Sequence, residues 1–478
     1  MAEHPETFAK TKILATLGPA TKDSSTICEL IKAGIDAVRL NLSHGNYDFF
    51  EQLFDSINIA RKEENSPLAI LVDLQGPKIR IGDLEKENVL LESGNKIEIT
   101  TKDIKGNEKI ISTSYKPLIQ DAEVGDKILI NDGLIRLTIL EKKSDSLLCK
   151  IDIGGVLTPK KGMNLPGMKL STESMTEKDF RDLEFVLNHR VDYIALSFVR
   201  SADDVIKLKT WIKEHDKNIP VIAKIEKREA IENLDKIIEV SDGVMVARGD
   251  LGVELSPQEV PVLQKSIIKK CNETGKLVIT ATQMLESMIH SPIPTRAEAS
   301  DVANAVWDGS DAVMLSAETS IGEYPIRTVQ IMNDILKNTE LHLEDNRTIN
   351  YSNPKNLQEN LFDSIGRSIV EMSKQINAKA IVVFTFKGRT ARIISKYKPQ
   401  ARIIAISNSF ETMNNLCLRW GVTSIYRENF DKEHIAIDDA KELILKCGLV
   451  EKGDLVIFTA GAPYSEKSRA NWSRFEII

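Results

Sequence analysis

Short apolar runs rich in Val and Ile recur along most of the chain, separated by polar segments of helical length. Strands that alternate with helices pair in parallel through right-handed crossovers. Eight such units favour a closed (β/α)8 barrel, whose active site lies at the carboxyl ends of the strands. The runs are ILATLG from Ile13, AVRLNLS from Ala37, LAILVDL from Leu68, YIALSF from Tyr193, VIAKIE from Val221, GVMVARG from Gly243, LVITATQ from Leu277 and AVMLSAE from Ala312.

A long interval between the third and fourth runs, roughly residues 82 to 180, interrupts this alternation. Short alternating apolar runs fill it, separated by turns at Gly94, Gly106, Gly125 and Asp132. This pattern is typical of antiparallel strands and predicts an inserted all-β cap domain, placed to act as a lid. The predicted domains are a first barrel segment at 1–77, the cap at 78–160, a second barrel segment at 161–345 and a C-terminal domain at 346–478.

The C-terminal domain begins with a polar stretch, residues 346–356, that predicts a linker. Three further apolar runs alternate with helical segments and indicate a doubly wound α/β sheet. The loop from Thr385 to Thr390 follows the first of these runs and opens a helix, a geometry that favours phosphate. An ordinary strand-to-helix turn explains the loop equally well. The three runs are AIVVFT from Ala380, IIAIS from Ile403 and LVIFTAG from Leu455.

Composition excludes several classes of protein. Hydrophobic residues make up 42% and charged residues 28% of 478 residues, an ordinary globular mixture, and no apolar run is long enough to span a bilayer. The net charge of -7 argues against a nucleic-acid role. The short polar N-terminus does not resemble a signal peptide. Five cysteines lack metal-ligand or disulfide spacing, so we expect a reducing cytoplasm.

Charged residues follow two of the predicted strands at their carboxyl ends. Lys224 and Glu226 are two positions apart and so share one face of a strand. Another run ends on Arg248, Gly249 and Asp250. Magnesium takes only one or two protein carboxylates and leaves its other positions to water and phosphates. We therefore predict phosphate chemistry around a divalent ion, although a buried ion pair and a helix-capping Asp250 remain alternatives.

Other predicted strand ends are also polar. Arg39, Asn41 and Ser43 follow the same alternation and are expected on one face of the second strand. Asp73 ends the third strand, and Thr282 follows the seventh. Large aliphatic residues normally fill a barrel interior. Such a polar set therefore indicates a functional site rather than packing.

At these residues the chain resembles pyruvate kinase, and the likeness covers almost its whole length. The resemblance implies a TIM barrel with an inserted β-rich cap and a C-terminal effector domain. It also implies transfer of the phosphoryl group of phosphoenolpyruvate to ADP, giving pyruvate and ATP. The matching motifs, in order, are KTKILATLGPAT, AVRLNLSHG, DLQGPKIR, VIAKIEKREAI, MVARGDLGVE, ITATQMLESM and PTRAEASDVANAV.

The resemblance implies roles for residues around the transferring group. Lys224 would neutralise charge on the phosphoryl group and the developing enolate oxygen. Arg39 would contact the phosphate. Glu226 and Asp250 would bind magnesium, for which manganese is an alternative. The backbone amides of Gly249 and Asp250 would bind the substrate carboxylate at the start of a short helix.

Further roles concern the proton and the nucleotide. Thr282 matches the position where the family places a hydroxyl near the methylene carbon of the enolate. A threonine hydroxyl is a weak acid, so we expect it to relay a proton through water and not to act alone. Asn41, Arg80 and Lys161 would contact ADP or ATP.

The third strand departs from the commoner family pattern, in which a Thr and a Glu stand where this chain has Leu74 and Lys78. A tethered ammonium would repel a potassium ion in the pocket expected from Asn41, Ser43 and Asp73. The chain is similar to one branch of the family that dispenses with potassium, so we expect Lys78 to fill the pocket. A solvated surface lysine is the alternative.

The effector domain departs further from the family. Lys387 replaces a small hydroxyl residue, and the tail at 461–468 lacks glycines usual there. We expect a sugar-phosphate effector at the phosphate loop, although the sequence leaves its identity open. The resemblance suggests a homotetramer. The predicted effector residues are Thr385, Lys387, Gly388, Arg389 and Thr390.

Two other functions stay open at this point. One is a different magnesium-dependent barrel enzyme that acts on pyruvate enolates and needs neither cap nor nucleotide site. The other is a sugar-phosphate sensor that has lost turnover. Retention of Lys224, Glu226, Asp250 and Thr282 weighs against the sensor.

Overall fold

A computed structural model describes residues 8–343, 357–428, 433–461 and 470–478. The predicted linker at 346–356 and most of the tail at 461–468 therefore lie outside the described residues. Strands are numbered β1 to β21 and α-helices α1 to α16 along the chain. Among the described residues, no helix is long and apolar enough to cross a membrane.

Eight parallel strands close into a barrel, in which β1, β2 and β3 are followed by β12 to β16 and β16 returns to β1. The eight predicted strands and the closed barrel are confirmed. Nearly every strand residue is buried, as expected where a parallel sheet is covered on both faces. The strands are β1 Lys12–Thr16, β2 Ala37–Asn41, β3 Ala69–Asp73, β12 Tyr193–Leu196, β13 Val221–Ile225, β14 Gly243–Ala247, β15 Leu277–Ala281 and β16 Ala312–Leu315.

Helices surround the barrel, and α2, α4 and α10 begin at side-chain caps. Thr176 and Thr295 each accept a hydrogen bond from a backbone amide of the first turn and form a capping box. Short 3-10 helices occur at Pro19–Thr21 and Glu286–Ile289. The helices are α1 Ser24–Ala33, α2 Tyr47–Glu63, α4 Glu177–Val186, α5 Ala202–Glu214, α6 Arg228–Glu232, α7 Leu234–Val240, α8 Arg248–Glu254, α9 Val260–Thr274, α10 Arg296–Asp308, α11 Ala317–Ser320 and α12 Pro325–Leu341.

The insertion between β3 and β12 is a β-rich module with its own buried core. It contains a six-stranded sheet in the order β11-β7-β8-β9-β5-β6 and the pair β10-β4. One short helix, α3 Leu118–Asp121, departs from the all-β expectation. The sheet also extends past residue 160 through β11. Its strands are β4 Val89–Leu91, β5 Lys96–Thr100, β6 Ile110–Ser112, β7 Lys127–Ile130, β8 Ile135–Lys142, β9 Ser146–Ile153, β10 Gly155–Leu157 and β11 Met163–Asn164.

The C-terminal domain holds a five-stranded sheet in the order β19-β18-β17-β20-β21, parallel except for the edge strand β21. This agrees with the predicted doubly wound α/β sheet. Its strands are β17 Ala380–Phe384, β18 Arg402–Ser407, β19 Val422–Tyr426, β20 Leu455–Ala460 and β21 Trp472–Ile477, and its helices are α13 Leu357–Gln375, α14 Arg389–Lys396, α15 Phe410–Leu416 and α16 Glu433–Lys446.

The C-terminal domain closes the amino end of the barrel. Cys417 and Leu418 belong to the same buried cluster as the barrel interior. The Tyr193 hydroxyl, at the start of β12, donates to the carbonyl of Asn415. The Lys398 ammonium is 2.9 Å from a carboxylate oxygen of Asp311. The amino end is thereby filled, which leaves the carboxyl end open for chemistry.

Candidate active site

Lys224 lies on β13, close to the carboxyl end of the barrel, between two carboxylates. Its ammonium is 3.2 Å from Asp73 and 2.9 Å from Glu226, which confirms that Lys224 and Glu226 share one face. Lys224 is 9% exposed and both carboxylates are 1% exposed. Burial alone would lower the pKa of Lys224, but the two carboxylates outweigh it and raise that pKa. The lysine therefore stays charged.

Arg39, on β2, also pairs with Asp73. Its Nε and Nη2 atoms are 2.8 and 2.6 Å from one carboxylate oxygen, and Nη1 donates to the Thr16 hydroxyl at 3.1 Å. Burial acts to raise the pKa of Asp73, but Lys224 and Arg39 outweigh it and hold that pKa below its usual range. Asp73 thus holds two cations side by side at the strand ends.

Glu226 and Asp250 form the acidic part of this site. Burial raises the pKa of Glu226, and the charge of Asp250 adds to the rise while Lys224 opposes it. Among the described residues, no group of three or more His, Cys, Asp or Glu side chains could hold a metal ion. A pair of carboxylates still fits magnesium, since this ion keeps several positions for water and phosphate oxygens.

Thr282 lies beside the start of α8. Its hydroxyl accepts a hydrogen bond from the Gly249 amide at 3.2 Å. Thr282 has a φ of 72° and Gln283 a φ of 56°. Left-handed backbone is a rare and costly conformation for a β-branched residue, and such outliers cluster at functional sites. The structure thus brings Thr282, Gly249 and Asp250 to one point of the site.

Ser197 and Phe198 were not predicted as site residues. The Ser197 hydroxyl accepts a hydrogen bond from Lys224 at 2.8 Å and donates to the Leu74 carbonyl at 2.7 Å. The Phe198 amide donates to Glu226 at 2.6 Å, and Phe198 has a φ of 54°. A polar residue at the carboxyl end of a barrel strand was the only sequence signal for Ser197.

The predicted nucleotide residues Arg80 and Lys161 are close together at the base of the cap. Arg80 forms an isolated antiparallel bridge with Gly162, and its guanidinium donates to the Lys160 carbonyl at 2.9 Å. Asn41 pairs in register with Asp73 on β3. The structure therefore brings Asn41 next to the Asp73 cluster, and Arg80 next to Lys161.

The expected alternation of Arg39, Asn41 and Ser43 is wrong at its last member. Strand β2 ends at Asn41, and the Ser43 amide donates to the Asn41 side chain at 3.1 Å. An Asn side chain that bonds the backbone two residues later forms a turn, which ends the strand period. Ser43 is thus placed by a turn, although it remains close to Asn41.

Lys78 is exposed, and its ammonium forms no hydrogen bond or ion pair with any residue that the structure describes. The Asp73 carboxylate is already paired with Arg39 and Lys224. Lys78 still acts at a distance. Burial is the main cause that lowers the pKa of His44, and the positive charges of Lys78, Arg80 and Arg39 lower it further. Lys78 therefore lies within electrostatic range of His44, and the structure does not bring it onto Asp73.

The predicted effector loop lies where β17 passes into α14. Gly388 has a φ of 70° and donates its amide to the Thr385 hydroxyl at 3.0 Å. Lys387 and Arg389 are exposed, whereas Thr390 is buried. In the strand order, β17 lies between β18 and β20, where the sheet changes direction and ligands usually bind.

Comparison with known proteins agrees with this arrangement. The pyruvate kinase barrel domain family matches residues 8–329, and the pyruvate kinase alpha/beta domain family matches residues 363–474. The pyruvate kinase of Geobacillus stearothermophilus is 42% identical over 472 residues, 98% of this chain and 80% of that protein. The pyruvate kinase of Staphylococcus aureus strain MRSA252 is 41% identical over 471 residues, with the same coverage.

The fold is also similar to that of a solved structure from the same family. The crystal structure of a pyruvate kinase from Cryptosporidium parvum matches with a TM-score of 0.93 and 37% identity, over 99% of this chain and 97% of that one. Both halves of the fold and nearly the full length are therefore shared. The chain belongs to the pyruvate kinase family and is a phosphotransferase.

Proposed function

We propose that the chain transfers the phosphoryl group of phosphoenolpyruvate to ADP, giving pyruvate and ATP in the last step of glycolysis. The observation that carries this proposal is the Lys224 ammonium, buried between Asp73 and Glu226 at the carboxyl end of the barrel. A fixed charge in a buried site needs no reorganisation as the reaction proceeds. Such a charge is suited to a reaction in which negative charge moves between oxygens.

Lys224 and Arg39 supply the positive charge. Lys224 neutralises the transferring phosphoryl group and the enolate oxygen that develops as the bond breaks. Arg39 binds the phosphate through the guanidinium N–H groups that Asp73 and Thr16 leave free. Because Asp73 orients both cations, it positions them without touching substrate.

Glu226 and Asp250 are proposed to hold magnesium, with manganese as an alternative. Their two carboxylates leave room for substrate oxygens on the ion. When bound, the ion supplies charge that offsets the phosphate and carboxylate oxygens. The Gly249 and Asp250 amides at the start of α8 bind the substrate carboxylate, and the Gly249 amide turns from the Thr282 hydroxyl to that carboxylate when substrate binds.

Thr282 is proposed to relay a proton to the methylene carbon of the enolate through water. Among the described residues its hydroxyl acts only as an acceptor, from the Gly249 amide, so its proton is available for donation toward the site. Asn41, Arg80 and Lys161 are proposed to bind the nucleotide. The position of Arg80 and Lys161 at the base of the cap supports a nucleotide enclosed between cap and barrel.

The site is proposed to work without potassium. Lys78 is an exposed cation whose charge, together with those of Arg80 and Arg39, acts on His44, the residue after Ser43. Buried Leu74 provides no side-chain oxygen for an ion near Asn41, Ser43 and Asp73. A further monovalent cation would therefore meet repulsion and one ligand fewer.

The effector, the oligomeric state and the cellular compartment are proposed from the resemblance to the family. A sugar phosphate is expected at Thr385–Thr390, where Lys387 and Arg389 are exposed cations beside a helix start. A homotetramer is expected. The five cysteines form no disulfide, which supports a reducing cytoplasm.

One assay tests the proposed reaction against its alternatives. Pyruvate formation from phosphoenolpyruvate is measured with magnesium, with and without ADP. We expect pyruvate only with ADP, together with equimolar ATP. Loss of phosphoenolpyruvate that does not depend on ADP would indicate another enolate enzyme. No turnover, combined with sugar-phosphate binding, would indicate a sensor.

A further inference from the structure

Arg248, the first residue of α8, contacts the turn that contains Thr282. Its Nε atom donates to the Ala281 carbonyl at 3.2 Å, and Nη2 donates to the Thr282 carbonyl at 2.6 Å. Strands β14 and β15 are neighbours, with Ala247 beside Ala281. One planar guanidinium therefore holds two consecutive carbonyls at the end of the adjacent strand.

The other edge of the guanidinium is anchored by two helices. The Nη1 atom is 2.7 Å from each carboxylate oxygen of Asp301, on α10. The same nitrogen is 3.4 Å from the Gln264 side chain, on α9. The Arg248 side chain is 12% exposed. Arg248 is thus held by the outer helices while it holds the turn inside.

The turn needs such support because its backbone is strained. Thr282 and Gln283 are consecutive non-glycine residues with positive φ. A Cβ atom at Gly249 would lie 3.1 Å from the Thr282 methyl group. The Thr282 hydroxyl is therefore set by the Arg248 hydrogen bonds to two carbonyls of the turn and to the Met284 sulfur, and by the close approach of Gly249.

We propose that Arg248 is a positioning residue that holds the Thr282 hydroxyl in place for proton transfer. The inference rests on the proposed relay role of Thr282. Arg248 acts through two carbonyls of the turn, and Asp301 fixes its orientation. Lysine at this position would keep the charge but lose the planar set of donors that spans both carbonyls and Asp301.

The test is a double-mutant cycle on Arg248→Lys and Thr282→Ala, read by exchange of pyruvate methyl protons with solvent. Thr282→Ala should slow exchange by about 10²–10⁴-fold. Arg248→Lys should slow exchange by about 10- to 100-fold in the wild-type background, because it displaces the hydroxyl. In the Thr282→Ala background, Arg248→Lys should change exchange by less than about twofold.

Further readouts separate positioning from a general loss of structure. The KM for phosphoenolpyruvate should change less than kcat in Arg248→Lys. Arg61→Lys is a matched control, since Arg61 also joins a carbonyl, that of Leu68, to a carboxylate, that of Asp192. It should lower thermal stability and leave exchange unchanged. If Arg248→Lys does not fold, Asp301→Asn replaces it in the cycle and should slow exchange in the same way.

Each remaining outcome counts against the inference. Equal slowing by Arg248→Lys in both backgrounds would overturn the positioning role and leave the Thr282 relay intact. Unchanged exchange in Arg248→Lys would also overturn it. Unchanged exchange in Thr282→Ala would overturn the relay and the positioning role together.

Discussion

At the scale of single residues, the charge of Lys224 is fixed by its neighbours. Asp73 and Glu226 keep the ammonium protonated, and the Ser197 hydroxyl fixes its direction. We predict that Lys224→Met lowers turnover by about 10²–10³-fold, because a preorganised charge is lost. The KM for phosphoenolpyruvate should change less. Steady-state kinetics of pyruvate formation measures both quantities.

Lys12→Met provides the control for this prediction. Lys12 is also a buried barrel lysine, paired with Asp36 at 2.8 Å, but it lies at the amino end of β1. Lys224→Met leaves the buried Glu226 without its cation, and Lys12→Met leaves the partly buried Asp36 without its own, so both variants should lower the thermal midpoint. Only Lys224→Met should abolish fast turnover. Wild-type turnover in Lys224→Met would remove Lys224 from the mechanism.

Potassium independence is a second prediction at the residue scale. Activity at constant ionic strength should be the same in potassium, sodium and tetramethylammonium buffers. Leu74→Thr with Lys78→Glu should create a potassium requirement, because a carboxylate replaces an ammonium near the Asp73 cluster and a new oxygen ligand appears. The rate of pyruvate formation against potassium concentration measures the effect.

Controls for the potassium experiment follow from the burial of the two residues. Lys78 is exposed, so Lys78→Gln should fold normally and separate loss of charge from gain of a carboxylate. Leu74 is 1% exposed, so Leu74→Thr alone should lower stability. Strong activation of the unmodified enzyme by potassium would contradict the prediction.

At the scale of elements, the sequence predicted most of the barrel because each strand is a buried apolar run with clear limits. The alternation of side chains along a strand was enough to place Lys224 and Glu226 on one face. It failed at Ser43, where a side-chain hydrogen bond ends β2 early. The roles of Ser197 and Arg248 needed the structure. The contact from Arg248 to Asp301 joins residues 53 positions apart, and no local pattern encodes it.

The loop between β17 and α14 carries the next prediction. A phosphorylated sugar should lower the KM for phosphoenolpyruvate, and Lys387→Ala with Arg389→Ala should weaken this effect, since two cations at a helix start are lost. Calorimetric titration with hexose and pentose phosphates and kinetics with the same compounds measure binding and activation. Basal turnover should not change.

Lys446→Ala with Lys452→Ala is the matched control for the loop variant. Both lysines are exposed and precede β20, so they lie toward the amino ends of the parallel strands, whereas the loop follows the carboxyl end of β17. Their removal changes the net charge by the same amount and should leave the effector response intact. If none of the common sugar phosphates binds the unmodified protein, the effector proposal fails.

At the scale of the whole molecule, the barrel and the C-terminal domain share a buried hydrophobic cluster. Cys417 and Leu418 complete the barrel interior, and Lys398 binds carbonyls at the end of α10. Lys10, which precedes β1, makes a second link between the barrel and the C-terminal domain. Its ammonium donates to the carbonyls of Pro399 and Gln400 and lies 5.3 Å from the centre of the Trp420 ring. Unfolding of one part should therefore weaken the other.

Lys10 makes this junction sensitive to pH. Burial lowers the pKa of Lys10 to about 8, and Arg402 adds to the fall while Glu340 opposes it. Below pH 8 both the folded and the unfolded chain carry this proton, so the cost of burying the charge is fully present. Between pH 8 and the ordinary lysine pKa of about 10.5, the unfolded chain binds more protons, and stability rises with pH.

We therefore predict that the thermal midpoint of the wild-type protein rises relative to that of Lys10→Met as pH increases from 8 to about 10.5. Groups that titrate in both proteins cancel in this difference, which calorimetry measures at each pH. Lys32→Met is the control, because Lys32 is exposed and paired with Glu64 at 3.0 Å, and this partner raises its pKa, so the corresponding difference should not rise with pH. A difference that stays flat or falls across this range would show that the Lys10 charge is not buried at the junction.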